Sequence, residues 1–142
     1  MLEDTEQLML IRKEWAGVEA LQSSLKRDAM VSAAMPMFDG HYPRTLLNAS
    51  LNFPFLHACS VLNDVLLEFV KQGKFKSSQR TLGALVKDSK SKLQWDNFEN
   101  IKTVLVEDRN ALAHDRVLID AQTCKGHIEA VKAQLVAWKI LA

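Results

Sequence analysis

Apolar residues recur along this chain at spacings of three, four and seven, and no stretch alternates with the period of two that a half-buried strand requires. Leu8, Ile11, Trp15, Val18 and Leu25 lay one stripe down a first helix. Asp4 stands before it as an N-cap, with Gln7 three residues on as a capping-box partner, and the helix is expected to fade near Asp28. Residues 30–48 read as an irregular connection, because Pro36, Asp39-Gly40 and Pro43 break any helix there. Its Met30, Met35, Met37 and Phe38 are expected to fold back over the core.

A second helix is expected from Ser50 or Asn52, which places Pro54 in its first turn, where a missing N–H costs nothing. Phe55, Leu62, Val65, Leu66 and Phe69 give it a wide apolar face, suited to the centre of a bundle, and Gly73 is a stop. A short helix after Thr81 uses Leu82, Leu85 and Val86. Beyond the polar run Lys87 to Lys92, Asp96 with Glu99 three residues later signals the start of the next long helix. The last runs from about Asp120 to the end, with Cys124, Ile128, Val131, Leu135 and Trp138 facing inward. The fold class is therefore all-α: an antiparallel bundle of four long helices plus a short one, forming one domain over residues 1–142.

Composition narrows the setting. A chain that is 48% apolar and 25% charged is a globular mix, and 142 residues supply one core rather than two. The most apolar region, Leu51 to Val70, is interrupted by His57, Asn63, Asp64 and Glu68, so it would be a costly membrane span. The acidic start Met1-Leu2-Glu3-Asp4-Thr5-Glu6 does not resemble a secretory signal. Cys59 and Cys124 lack CxxC spacing and sit among apolar residues, as buried free thiols of a reducing compartment do. A cytoplasmic location is the expectation. The formal charge of +1 is unevenly spread. Between Lys71 and Lys92, seven basic residues stand against one acid, a net of +6; the remaining eleven basic and sixteen acidic residues leave −5. A solvated lysine-rich loop accounts for that strip, and so does a face that binds polyanions through Lys71, Lys74, Lys76 and Arg80.

The candidate chemistry lies in Arg109-Asn110-Ala111-Leu112-Ala113-His114. On a wheel of ~100° per residue with Leu105 inward, Phe98, Ile101 and Leu112 lie within ~40° of it. Asp96, Asn100, Thr103, Glu107, Asn110 and His114 fall on the opposite side. Asn110 and His114 are four apart, close enough to touch, and the long stem of Arg109 can carry its guanidinium round the edge of the apolar stripe. An imidazole suits proton transfer, and a forked, always-charged guanidinium suits holding a phosphate group.

An Arg-Asn pair followed by three residues and a His, late in a helix of a small helical bundle, resembles the HEPN superfamily. The motif match is complete at Arg109, Asn110 and His114, and the helix order is compatible over roughly residues 50–140. The resemblance implies an endoribonuclease that needs no metal or other cofactor, in which the motif helices of two protomers meet across a two-fold axis. It implies His114 as acid or base, Arg109 as the phosphate holder and Asn110 as the group that orients the His or the substrate. A toxin or defence role, with an antitoxin protein as partner, follows from the same likeness. One branch of the family carries a Tyr two residues after the His, where it is modified; here Arg116 stands in that place, which argues against that route of regulation and leaves either a plain solvent-facing charge or an RNA phosphate contact.

The same residues also suit a plain helix terminus, where cations favour the dipole and Glu107 or Asp108 pairs locally with Arg109. On that reading the chain is a non-catalytic helical dimerisation or interaction module. Nucleotide binding without cleavage is a third alternative. His57 reads as a core or interface His, His41 says little, and His127 stands isolated on the last helix. No His or Cys pair has zinc-ligand spacing, and neither a Gly-rich phosphate loop nor a nucleophile elbow is present. Trp15 and Trp138 fall on core stripes, while Trp95 suits a hydrophobic staple.

Overall fold

The computed structural model describes residues 2–34 and 51–142, with the side chains of 25–34 outside that description. Among the described residues five helices follow one another: α1 (Thr5–Ala34), α2 (Asn52–Lys71), α3 (Leu82–Ser89), α4 and α5 (Ala121–Ala137). Helix α4 is one rod in three stretches, α-helical over Phe98–Asn100, π-helical over Ile101–Leu105 and α-helical again over Val106–Asp115. No strand occurs among the described residues, and the fold is all-α.

Helix α2 is the hub. Its Phe55, Ala58, Val61, Leu62, Val65, Leu66 and Phe69 are buried on all sides, because α1, α3, α4 and α5 all pack against it. Among the described residues it is the one helix long and apolar enough to cross a membrane by length and composition, yet its apolar side chains make the protein core. Gly73 closes it with φ +78°, a left-handed conformation that glycine adopts without strain. The Lys74 N–H reaches back to the Phe69 carbonyl and the Gly73 N–H to that of Val70, which satisfies two orphan acceptors in a Schellman motif.

The other termini follow local chemistry equally directly. Asp4 Oδ1 accepts from the N–H groups of Glu6 and Gln7 at 3.0 and 3.2 Å and starts α1. Asp120 caps α5 by accepting from the Thr123 N–H at 2.8 Å. At the far end of α5, Ile140 folds under Leu135, both fully buried, and its carbonyl takes a 2.7 Å hydrogen bond from Arg12 Nε.

Three boundaries differ from expectation, the first being that of α5, which stops at Ala137 rather than running to the end of the chain, with Lys139 in the left-handed region at φ 61°. Helix α1 continues past Asp28 to Ala34, because Ala29, Met30, Ala33 and Ala34 are good helix formers and the first breaker in the sequence is Pro36. The expected connection beyond it, with Met35, Met37, Phe38 and His41, lies outside the described residues. Helix α4 begins at Phe98 with Asn97 rather than Asp96 at its cap, and no side chain caps it. The Asp96 N–H instead donates to Oε1 of buried Gln134 at 2.9 Å, so α5 dictates where α4 starts.

The π segment also breaks the simple wheel. Its wider turns insert an extra residue into the helical phase. Consecutive residues Leu105 and Val106 are therefore both buried, whereas Leu112 is only half-buried.

Candidate functional site

Three segments meet around a groove of about 530 Å³. Leu56, Cys59, Ser60 and Asn63 come from α2, at the spacing that places four residues on one helix face. Arg80, Thr81 and Leu82 come from the entry to α3, and Arg109, Ala113 and His114 from the end of α4. The lining thus holds two guanidiniums, one imidazole, two hydroxyls and an amide, and no carboxylate. That set selects for anions on charge alone.

Each cation is held by its own element. Phe75 anchors the loop before Arg80 in the core, and Ser77 Oγ ties that loop to α3 by donating to Asp88 Oδ2 at 2.7 Å. Arg109 is half-buried, with Nη1 donating to Asn110 Oδ1 at 3.2 Å. Burial pushes the neighbouring Cys59 thiol up to about 12, and the positive charge of Arg109 opposes only part of that rise. The thiol stays protonated, so the sulfur at the groove wall is no nucleophile. His114 is exposed in the last turn of α4.

Of the residues that the sequence singles out, the groove gathers Arg80, Arg109 and His114. Asn110 is exposed, outside the lining, and its side chain engages Arg109 rather than His114. Arg116 follows the end of α4 in the left-handed region, φ 56° and ψ 32°, exposed and also outside the lining. Lys74 and Lys76 are exposed on the loop after α2. Lys71 lies 4.0 Å from Glu68 and borders a second cavity of about 660 Å³, which shares only Arg80 with the groove.

That second cavity has a different character. Glu14 of α1 and Asp64 and Glu68 of α2 line it, beside Leu10, Ile11 and Leu67. Burial raises the Glu14 carboxyl above its ordinary value, and the Asp64 charge and a hydrogen bond with Asp64 raise it further. The basic strip is therefore interrupted by acid where Lys71 and Arg80 border this cavity.

Sequence reasoning missed one contact beside the groove. Asp108 does not pair with Arg109: its Oδ2 lies 2.7 Å from Nε2 of His127 on α5. His127 is 5% exposed and stacks on Phe55, ring centroids 5.1 Å apart. The signal was its position, three after Cys124 and one before Ile128, which is a core position where an imidazole needs a polar partner. His57 packs over Gly17 of α1, with Cε1 3.6 Å from where a Cβ would stand. Trp95 packs edge-on against Phe98 and Trp138 and donates to Ser89 Oγ at 2.9 Å. Among the described residues, no three His, Cys, Asp or Glu side chains come together as a metal site would require. No family model, curated protein or solved structure matches the chain.

Proposed function

We propose that the chain is an RNA-handling domain, HEPN-like in kind: a metal-independent endoribonuclease whose groove holds a phosphodiester between Arg80 and Arg109, with His114 moving the proton. On this reading it is an antiparallel bundle of four long helices and a short one, acting in the cytoplasm as a homodimer, in a toxin or defence setting with an antitoxin as partner. One observation supports it above the rest. Arg80, from the basic strip, and Arg109 and His114, from the motif, line a single groove free of carboxylates, although 29 residues separate Arg80 from Arg109 in sequence. Its volume of about 530 Å³ falls within the range of small-molecule and nucleotide pockets.

The roles follow from the side chains. Two forked guanidiniums neutralise a phosphate and favour the extra charge that phosphorus gains as the 2′-hydroxyl attacks. His114, exposed at the groove edge, takes or delivers the proton. Ser60 and Asn63 offer hydrogen bonds to ribose or base. The test is incubation of single-stranded RNA with the purified chain in chelator. Cleavage to products with 2′,3′-cyclic phosphate ends is expected, and His114→Ala should lower it by about 10²-fold or more while leaving the melt unchanged. RNA that stays intact with the wild-type protein overturns the enzymatic reading.

A non-catalytic dimerisation module is the second reading, favoured by an apolar surface near the end of α4. Val117 and Leu118 are 50% and 61% exposed, and Phe53 is 69% exposed one residue after Asn52, whose side chain clasps the backbone of Ile119. A dimer in sedimentation that neither binds nor cleaves RNA, and dissociates on Leu118→Ser, would select this reading.

A further inference from the structure

We infer that Asp108 and His127 are positioning residues for the groove: their hydrogen bond sets the rotation of the α4 end and so aims Arg109. This deepens the reading above and rests on it for its functional consequence, though not for its structural one. The stretch Val106–Asp115 has little apolar anchorage, since Val106 is its only fully buried side chain and Leu112 is half-buried. It leans on α2, which also supplies the facing wall of the groove. Among the described residues, the Asp108–His127 bond is the one side-chain hydrogen bond that ties this stretch to α5.

The tie is well built. At 2.7 Å it is short, and the His127 side chain is 6% exposed, so water competes weakly for the imidazole, while Asp108, 30% exposed, is part-shielded. Stacking on Phe55 fixes the plane of the imidazole, and Phe55 is itself fully buried in α2. Three helices thus converge on one bond. Arg109 is the next residue after Asp108, so a rotation of α4 about its own axis that breaks the bond swings the guanidinium relative to Ser60 and Asn63. The magnitude matters because a displacement of about 1 Å at a reacting centre can cost on the order of 10²-fold in rate.

The experiment uses the whole chain as wild type, His127→Phe and His127→Gln. Phe keeps an aromatic ring against Phe55 and removes the polar partner of Asp108; Gln keeps a donor within reach of it. The first readout is amide hydrogen exchange by NMR at Ala111, Leu112, Ala113 and His114, with α2 and α5 amides as internal reference. Faster exchange confined to those four residues in His127→Phe, with near wild-type exchange in His127→Gln, is the expected result. Unchanged exchange in His127→Phe, or a uniform rise across α2 and α5, overturns the positioning role. The second readout is RNA cleavage, where His127→Phe should lower kcat by about 10- to 100-fold with a smaller change in KM, and His127→Gln should restore it. A wild-type chain that leaves RNA intact defeats the functional reading alone, because the exchange measurement still decides the positioning role.

Discussion

Asn52 offers a direct test of how the end of α4 is held in place. Its Nδ2 donates to the Ile119 carbonyl at 2.8 Å and its Oδ1 accepts from the Ile119 N–H at 2.9 Å. Asn52 is 4% exposed and Ile119 9%, so water has little access to either group. Asn52→Leu keeps the side-chain size, strands the Ile119 N–H and leaves the Ile119 carbonyl only the weak 3.7 Å bond from the Cys124 thiol. An orphaned buried donor or acceptor costs about 1–3 kcal/mol. With part of that returned by the added apolar contact, the net loss comes to roughly 2–4 kcal/mol. Unfolding entropy near 2.1 cal/mol/K per residue amounts to about 0.3 kcal/mol/K for 142 residues, so Tm should fall by roughly 7–13 °C. Circular dichroism melts, paired with urea titrations in which the slope m stays constant, measure this. A drop smaller than about 3 °C would mean that solvent reaches Ile119 and that the clasp does not hold the segment after His114.

Two further outcomes follow from the backbone and from the carboxyl pair. Arg116 sits at φ 56° without being glycine, so Arg116→Gly should raise stability by about 1 kcal/mol, read as a higher urea midpoint; the same variant should leave RNA affinity almost unchanged if Arg116, outside the groove, makes no phosphate contact. Glu14 holds its proton more tightly in the folded chain than in the unfolded one, mainly through burial and then through Asp64. A raised carboxyl gives stability that is full below the ordinary value of 4.5 and is lost as pH rises through the folded value. Glu14→Gln should therefore melt above wild type at pH 7, with the gap closing as pH falls through the raised folded value towards 4.5 and staying constant below it. A gap that does not vary with pH would sink that account.

Much of this architecture was legible because it depends on local signals. The inward stripe of α5 and its start near Asp120, the stop at Gly73, Pro54 in the first turn of α2 and the cap Asp4 all rest on residues within one or two turns of each other. Where tertiary contacts decide, the sequence misleads. Asp96 and Glu99 carry a capping pattern, yet Gln134, 38 residues away, takes the Asp96 N–H and moves the helix start. The π turns of Ile101–Leu105 leave no compositional trace, so a wheel drawn at constant angle puts Leu112 deeper than it lies. At the candidate site, the spacing pointed to Arg109, Asn110 and His114 together, and the family resemblance implied that Asn110 orients the His or the substrate. In the structure Asn110 Oδ1 accepts from Arg109 Nη1 at 3.2 Å, a contact the spacing did not announce. Arg80 was visible as one charge in a strip, and only the packing of α3 on α2 separates it from Lys74 and Lys76.

The distribution of buried surface gives these particulars a common cause. Helix α2 is fixed by a ring of fully buried side chains, while the end of α4 that carries Arg109 and His114 contributes little to the core. An element with few apolar contacts opens more readily than the body it rests on. Here two polar ties bracket that element: the part-buried bond of Asp108 to His127 just before Arg109, and the buried clasp of Asn52 on Ile119 just beyond Arg116. Hydrogen bonds define direction in a way that apolar contact does not, so they suit a segment whose side chains must point into a groove. Breaking either tie should loosen the α4 end before it unfolds α2, and breaking both should cost more than the sum of the single losses, because each alone still limits the rotation that the other prevents. A double variant, Asn52→Leu with His127→Phe, whose exchange at Ala111–His114 shows merely the sum of the two single free-energy effects would show that the ties act independently and refute the coupling between them.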